Sequence, residues 1–302
     1  MRESPSPRDP EQLLRRLEWT VLRRLDGLLH GDYRTLFRGN GLDLAELREY
    51  QPGDDVRRID WNVTARLQTP YRREYHEDRD NTAWFLVDLS RSIDFGASGK
   101  KRAMATGFVA VLARLMSGHG NRVGALVYGN RVETMIPART GRRHVLHLLA
   151  RLTSPADGPA RATKLGELLG GAANVLQRRS AVFVVSDFIS EPGWEKPLAE
   201  LARRHDVVAV CVADPLESEL PDLGFVALHD AETGEQLFID TGDRRLRQRF
   251  ATMAASRAAA MRASFARAGI GLLELSTEEP LLDAIVRFAA MRKHRRGMKG
   301  KP

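Results

Sequence analysis

Two short polar runs stand directly behind apolar ones. Trp84-Phe-Leu-Val87 is followed by Asp88-Leu-Ser90-Arg-Ser92, and Val182-Phe-Val-Val185 by Ser186-Asp187-Phe188. Each arrangement puts an aspartate where a buried strand would end. Two serines at a spacing of two, in a turn leading to a helix, can aim their hydroxyls to one side. Hard divalent cations such as Mg²⁺ want about six oxygen ligands and tend to keep some of them as water. Two carboxylates plus hydroxyls supply part of that shell, and an open position would accept a carboxylate oxygen from another molecule. Asp and Ser are also common turn and helix-cap residues. The pattern therefore depends on the elements around it.

Those elements alternate. Ala83–Leu89 reads as an apolar strand, 100–118 as a helix, and Arg122–Tyr128 as a second strand. Val132–Pro137 follows after a tight turn, which implies one antiparallel neighbour. Helices are expected at about 142–152 and 163–177, a buried strand at Ala181–Ser186, a helix near 195–204, and a strand at Val207–Ala213. Two short strands near 223–229 and 236–240, a long helix at 243–268, a strand at Gly271–Leu275 and a helix at Leu281–Arg292 complete the chain. Strands separated by helices of this length build βαβ units and a mostly parallel sheet. Strands buried on both faces are continuous apolar runs, as these are. In such a sheet ligands sit beyond the carboxyl ends of the strands, where the strand order reverses. The expected fold is a Rossmann-like α/β domain, mostly parallel with one antiparallel strand.

Upstream, 11–29 carries leucines at helical spacing and reads as an amphipathic helix, whereas 31–70 resists assignment. The organisation read from this is 1–80 as a helix with a separate segment, 81–290 as the α/β domain, and 291–302 as a basic, disordered tail. Within 241–302 there are 14 basic and 5 acidic residues, although the whole chain is only +8. Such an excess could contact nucleic acid, but a solvated terminus is the plainer reading. There is a single cysteine, Cys211, centred in an apolar strand, so no internal disulfide can form and a core role is expected. The first twenty residues have no apolar signal core, and no apolar run approaches the ~20 residues of a membrane span. A cytoplasmic protein is expected.

Asp-x-Ser-x-Ser behind the first core strand resembles the metal-ion-dependent adhesion site of von Willebrand factor A domains. That resemblance implies Asp88, Ser90 and Ser92 in a first loop, a threonine in a second and Asp187 in a third, with Mg²⁺ or Mn²⁺ as the ion. Thr163 matches the second loop best, although Arg161-Ala162 stand before it where the family has glycines. A narrower resemblance lies in Arg48-Glu-Tyr-Gln-Pro-Gly-Asp-Asp-Val-Arg-Arg-Ile-Asp-Trp61, Ala65-Arg66 and Gly120-Asn-Arg-Val-Gly124. These look like the bacterial domain-of-unknown-function family 58, over roughly residues 35–230. That family is associated with MoxR-type AAA+ ATPases. The resemblance therefore implies a module that binds such an ATPase or its client, in chaperone-like assembly or maturation of a complex.

Arg57, Arg58 and Trp61 are candidate partner contacts, since Trp and Arg are favoured at hot spots; a salt-bridged structural segment is the competing reading. Asp94 could join the metal shell through water or the partner face, with a plain loop residue as the competing reading. His144 and His147 lack a third ligand at zinc spacing. No serine sits in a Gly-x-Ser-x-Gly elbow and no P-loop is present. A phosphoaspartyl enzyme would want a second aspartate where Ser90 stands. Binding is therefore expected rather than turnover, with a Mg²⁺-dependent phosphoesterase or a nucleic-acid binder as the alternatives.

Overall fold

The computed structural model describes residues 9–22, 25, 46–51, 56, 59, 61–74, 82–94, 99–129, 131–154, 162–229 and 236–299. The first element among the described residues is helix α1 (Pro10–Leu17), which passes into a π-helical turn at Glu18–Leu22 instead of continuing as one α-helix. Asp9 caps α1 by accepting from the Glu11 amide. Further on, β1 (Glu46–Glu49), α2 (Trp61–Leu67) and β2 (Tyr71–Glu74) form a small unit in which the two strands pair antiparallel.

The main body follows in chain order: β3 (Thr82–Asp88), α3 (Lys100–Gly118), β4 (Arg122–Tyr128), β5 (Val132–Arg139), α4 (Arg142–Thr153) and α5 (Leu165–Val175). It continues through β6 (Ala181–Ser186), α6 (Glu195–Arg204), β7 (Asp206–Ala213), β8 (Phe225–His229), β9 (Gln236–Asp240), α7 (Arg244–Arg267), β10 (Gly271–Ser276) and α8 (Leu281–Lys299). Six of these strands make one sheet in the order β10-β7-β6-β3-β4-β5. All neighbours are parallel except β5, which runs antiparallel to β4. The expected doubly wound sheet with one antiparallel strand is therefore present.

Period-two alternation divides each central strand between two cores. Ala83, Phe85 and Val87 point with Phe183, Val185, Val208 and Val210 toward α1, α3, α4 and α8. Trp84 and Leu86 point with Val182, Val184, Val207 and Ala209 toward α5, α6 and the end of α7. Phe85 and Phe183 are register partners, and their rings stack at 5.2 Å. Burying one such side chain contributes roughly 2–3 kcal/mol. Trp84 faces Gly124 across β3 and β4, and a Cβ there would lie 2.8 Å from the indole. Gly120, at φ +83°, turns the chain from α3 into β4, a conformation that suits glycine. A close approach at Gly124 and a positive φ at Gly120 give two glycines of the Gly120–Gly124 run their structural reasons.

β8 and β9 fall where two short strands are expected and form a separate two-stranded hairpin. Phe225, Leu237 and Phe238 on it are exposed. The last helix runs to Lys299 instead of ending at Arg292, so much of the basic stretch is helical; residues 300–302 lie outside the described residues.

Candidate metal centre

From β3 the chain leads to β4 on one side, while β6 pairs with β3 on the other. The carboxyl ends of β3 and β6 therefore border the crevice where the winding reverses. Asp88 ends β3, and Asp187 follows β6 at once.

Both aspartates fold their own turns in the same way. Asp88 Oδ1 accepts from the Ser90 amide at 2.9 Å, and Asp187 Oδ1 accepts from the Ile189 amide at 2.9 Å. Such local bonds are what short polar side chains favour in turns. The second oxygens differ. Asp88 Oδ2 accepts from Ser186 Oγ at 2.7 Å, whereas Asp187 Oδ2 accepts from Lys101 Nζ at 2.8 Å. Ser90 Oγ and Ser92 Oγ lie 3.1 Å apart, and both residues are buried.

Thr163 stands two residues ahead of α5, rather than opening the helix, and is buried. Its carbonyl accepts from Ser190 Oγ and from the Glu191 amide, both at 2.9 Å. The next amide, that of Lys164, donates to the Tyr128 hydroxyl at 3.0 Å, and the Tyr128 carbonyl accepts from the Leu89 amide at 2.7 Å. The second loop is thus fastened both to the loop after Asp187 and to the strand end beside Asp88.

The carboxylates do not share the site comfortably. Burial, then the nearby Asp187, push the Asp88 carboxyl up to about 6, although the bonds from Ser90 and Ser186 pull the other way. Burial also opposes the charge on Lys101, but Asp187 and Glu217 outweigh it and hold the ammonium above its ordinary pKa. Glu217 Oε1 lies 2.5 Å from Lys101 Nζ.

The donor set fits a hard cation. Asp88, Ser90, Ser92, Thr163 and Asp187 offer carboxylate and hydroxyl oxygens from three loops, all in buried residues. In this structure the Ser90 and Ser92 hydroxyls hydrogen-bond to each other at 3.1 Å, a spacing that neighbouring oxygens around an octahedral Mg²⁺, about 3 Å apart, would also have. Among the described residues, no group of three or more His, Cys, Asp or Glu gathers as a metal site.

The other residues singled out from sequence fare differently. Trp61 is 69% exposed at the start of α2. Arg57 and Arg58 lie outside the described residues, as does the side chain of Asp94, whose backbone closes a 3₁₀ turn at Arg91–Asp94. His144 Nε2 lies 2.7 Å from the Val123 carbonyl, a structural contact. Cys211 is buried, and burial pushes its thiol up to about 12, as expected of a core residue. Lys101, Glu217 and the Ser186 hydroxyl were not foreseen. Lys101 could have been noticed, since it shares the apolar spacing of Ala105, Phe108 and Leu112 on α3, where a charge needs a partner.

A mostly parallel, doubly wound sheet with Asp-x-Ser-x-Ser at its switch point defines a von Willebrand factor A-like domain. More narrowly, the chain belongs to the family described as protein of unknown function DUF58, whose model matches residues 46–260. It is 42% identical over 284 residues to the uncharacterised protein Rv1480 of Mycobacterium tuberculosis, covering 93% of this chain and 89% of that one. Among solved structures it is similar to the conserved hypothetical protein BatB from Bacteroides thetaiotaomicron, with 16% identity and a TM-score of 0.42 over 73% of this chain and all of that one. It is also similar to the VWA domain of SpRpn10, with 15% identity and a TM-score of 0.35 over 68% and 93% of the two chains. No helix among the described residues is long and apolar enough to cross a membrane.

Proposed function

We propose that this chain is a divalent-cation-dependent protein-interaction module that works with a MoxR-type AAA+ ATPase in the assembly or maturation of a protein complex. One observation carries the reading: two rim aspartates and three hydroxyl residues occupy buried loops fastened to one another at the switch point of the sheet. Asp88 and Asp187 supply the negative charge, in part through water, and Ser90, Ser92 and Thr163 supply neutral oxygens. A bound Mg²⁺ or Mn²⁺ offers an electrophilic seat for an Asp or Glu of the partner. With only two carboxylates in the set, the ion keeps an appetite for that incoming acid. Trp61, exposed on α2, is assigned to the partner face, with Arg57 and Arg58 beside it in sequence. Aromatic and Arg residues supply much of the binding energy at such faces.

Capture of the MoxR-type ATPase by the immobilised chain tests this. Asp88→Ala with Ser90→Ala should abolish capture while leaving the fold intact, and EDTA should do the same to the unmodified chain. Capture that ignores both treatments would overturn the reading.

A further inference from the structure

Lys101 brings a full positive charge into the site. Its side chain is completely buried in the first turn of α3. Both facts oppose an ammonium there: burial strips its water, and the amides at a helix N-terminus repel cations. Two carboxylates hold it in place, Asp187 at 2.8 Å and Glu217 at 2.5 Å. The two differ in kind. Asp187 belongs to the candidate metal centre, whereas Glu217 is fixed outside it. Glu217 Oε2 accepts from the Asp214 amide at 3.2 Å, and Asp214 Oδ2 accepts from Thr277 Oγ1 at 2.8 Å, just beyond β10. The ammonium therefore pairs with one carboxylate of the candidate centre and with another that is tied back to the Asp214 turn.

We propose that Lys101 is the resident counter-cation of the Asp88–Asp187 site and that its sharing with Glu217 sets how tightly the site holds a divalent ion. This rests on the metal-dependent reading above. It is a positioning role: the ammonium neutralises part of Asp187 and lowers the charge that the site presents. Glu217 draws the ammonium away and restores some of that charge.

The two partners should then have opposite effects. Lys101→Met deletes a positive charge next to the site and should tighten Mn²⁺ binding by on the order of tenfold. Glu217→Gln removes the charge that competes with Asp187 for the ammonium and should weaken binding by roughly threefold. A merely architectural salt bridge would not do this, because breaking it from either side would loosen the same loops and weaken binding in both variants.

The experiment is a titration of the full chain with Mn²⁺, reading free ion by electron paramagnetic resonance, for the unmodified protein, Lys101→Met, Glu217→Gln and Asp88→Asn. The expected result is one site, lost in Asp88→Asn, with the other two variants shifted in opposite directions. Binding that needs Asp88 but weakens or stays unchanged in both variants overturns the role of Lys101 and leaves the metal reading standing. No binding in the unmodified protein ends both. Should Lys101→Met fail to give the circular dichroism of a folded chain, Lys101→Gln takes its place: tighter binding upholds the inference, and equal or weaker binding overturns it.

Discussion

Ser186 Oγ donates to Asp88 Oδ2 at 2.7 Å, joining the ends of two adjacent parallel strands through a buried carboxylate of the site. The same hydroxyl oxygen accepts from the Phe188 amide at 2.9 Å. Ser186→Ala strips a partner from Asp88 and from that amide at once. A buried polar group left without its bond costs about 1–3 kcal/mol. Urea denaturation of the variant should show a loss in that range.

Asp88 makes the cation-free protein sensitive to pH in an unusual direction. Its carboxyl is raised from 3.8 to about 6 in the folded chain. Between these values the folded state holds a proton that the unfolded state has released. The stability this group contributes is complete below about pH 4 and is lost as pH rises through about 6. Asp88→Asn removes the penalty. In EDTA the variant should melt above the unmodified protein at pH 7.5, by up to about 3 kcal/mol in stability, and should lose that advantage near pH 4. A variant less stable at both pH values would show that burial does not strain the carboxylate.

Gly124 tests the packing behind the site. A methyl group there would meet the Trp84 ring at 2.8 Å. Neither ring nor strand can move freely, since β3 lies between β4 and β6. Gly124→Ala should therefore destabilise by about 1–3 kcal/mol in guanidinium unfolding. Trp84→Phe in the same chain should recover part of the loss.

Trp61 separates surface from core. At 69% exposure it contributes little to folding. Trp61→Ala should change stability by no more than about 0.5 kcal/mol, yet reduce capture of the ATPase several-fold. Unchanged capture would remove α2 from the partner face.

The sheet was readable because strands covered on both faces must be apolar throughout. Ala181–Ser186 and Arg122–Tyr128 fall where the runs place them, and Lys100–Gly118 is bounded as expected. The rim aspartates were readable by position, as the first polar residues after those runs. What escaped notice depends on distant pairing. Lys101 meets Asp187 and Glu217 across 86 and 116 residues, which no local pattern encodes. β8 and β9 look like any short strands, and nothing local says that they pair only with each other. At the end of the chain, arginine and lysine favour helix as well as solvent, so their charge did not mark where α8 stops. The 31–70 segment offered no long apolar period: its described strand, Glu46–Glu49, is short and highly charged, as is its partner Tyr71–Glu74 just beyond it.

The most direct measurement is anomalous diffraction from crystals of the chain soaked in Mn²⁺. The account predicts one strong peak at the carboxyl ends of β3 and β6, about 2.2 Å from oxygens of Ser90 and Ser92, with Asp88, Thr163 and Asp187 around it. A peak elsewhere, or none while Lys101 keeps its contacts, would contradict it.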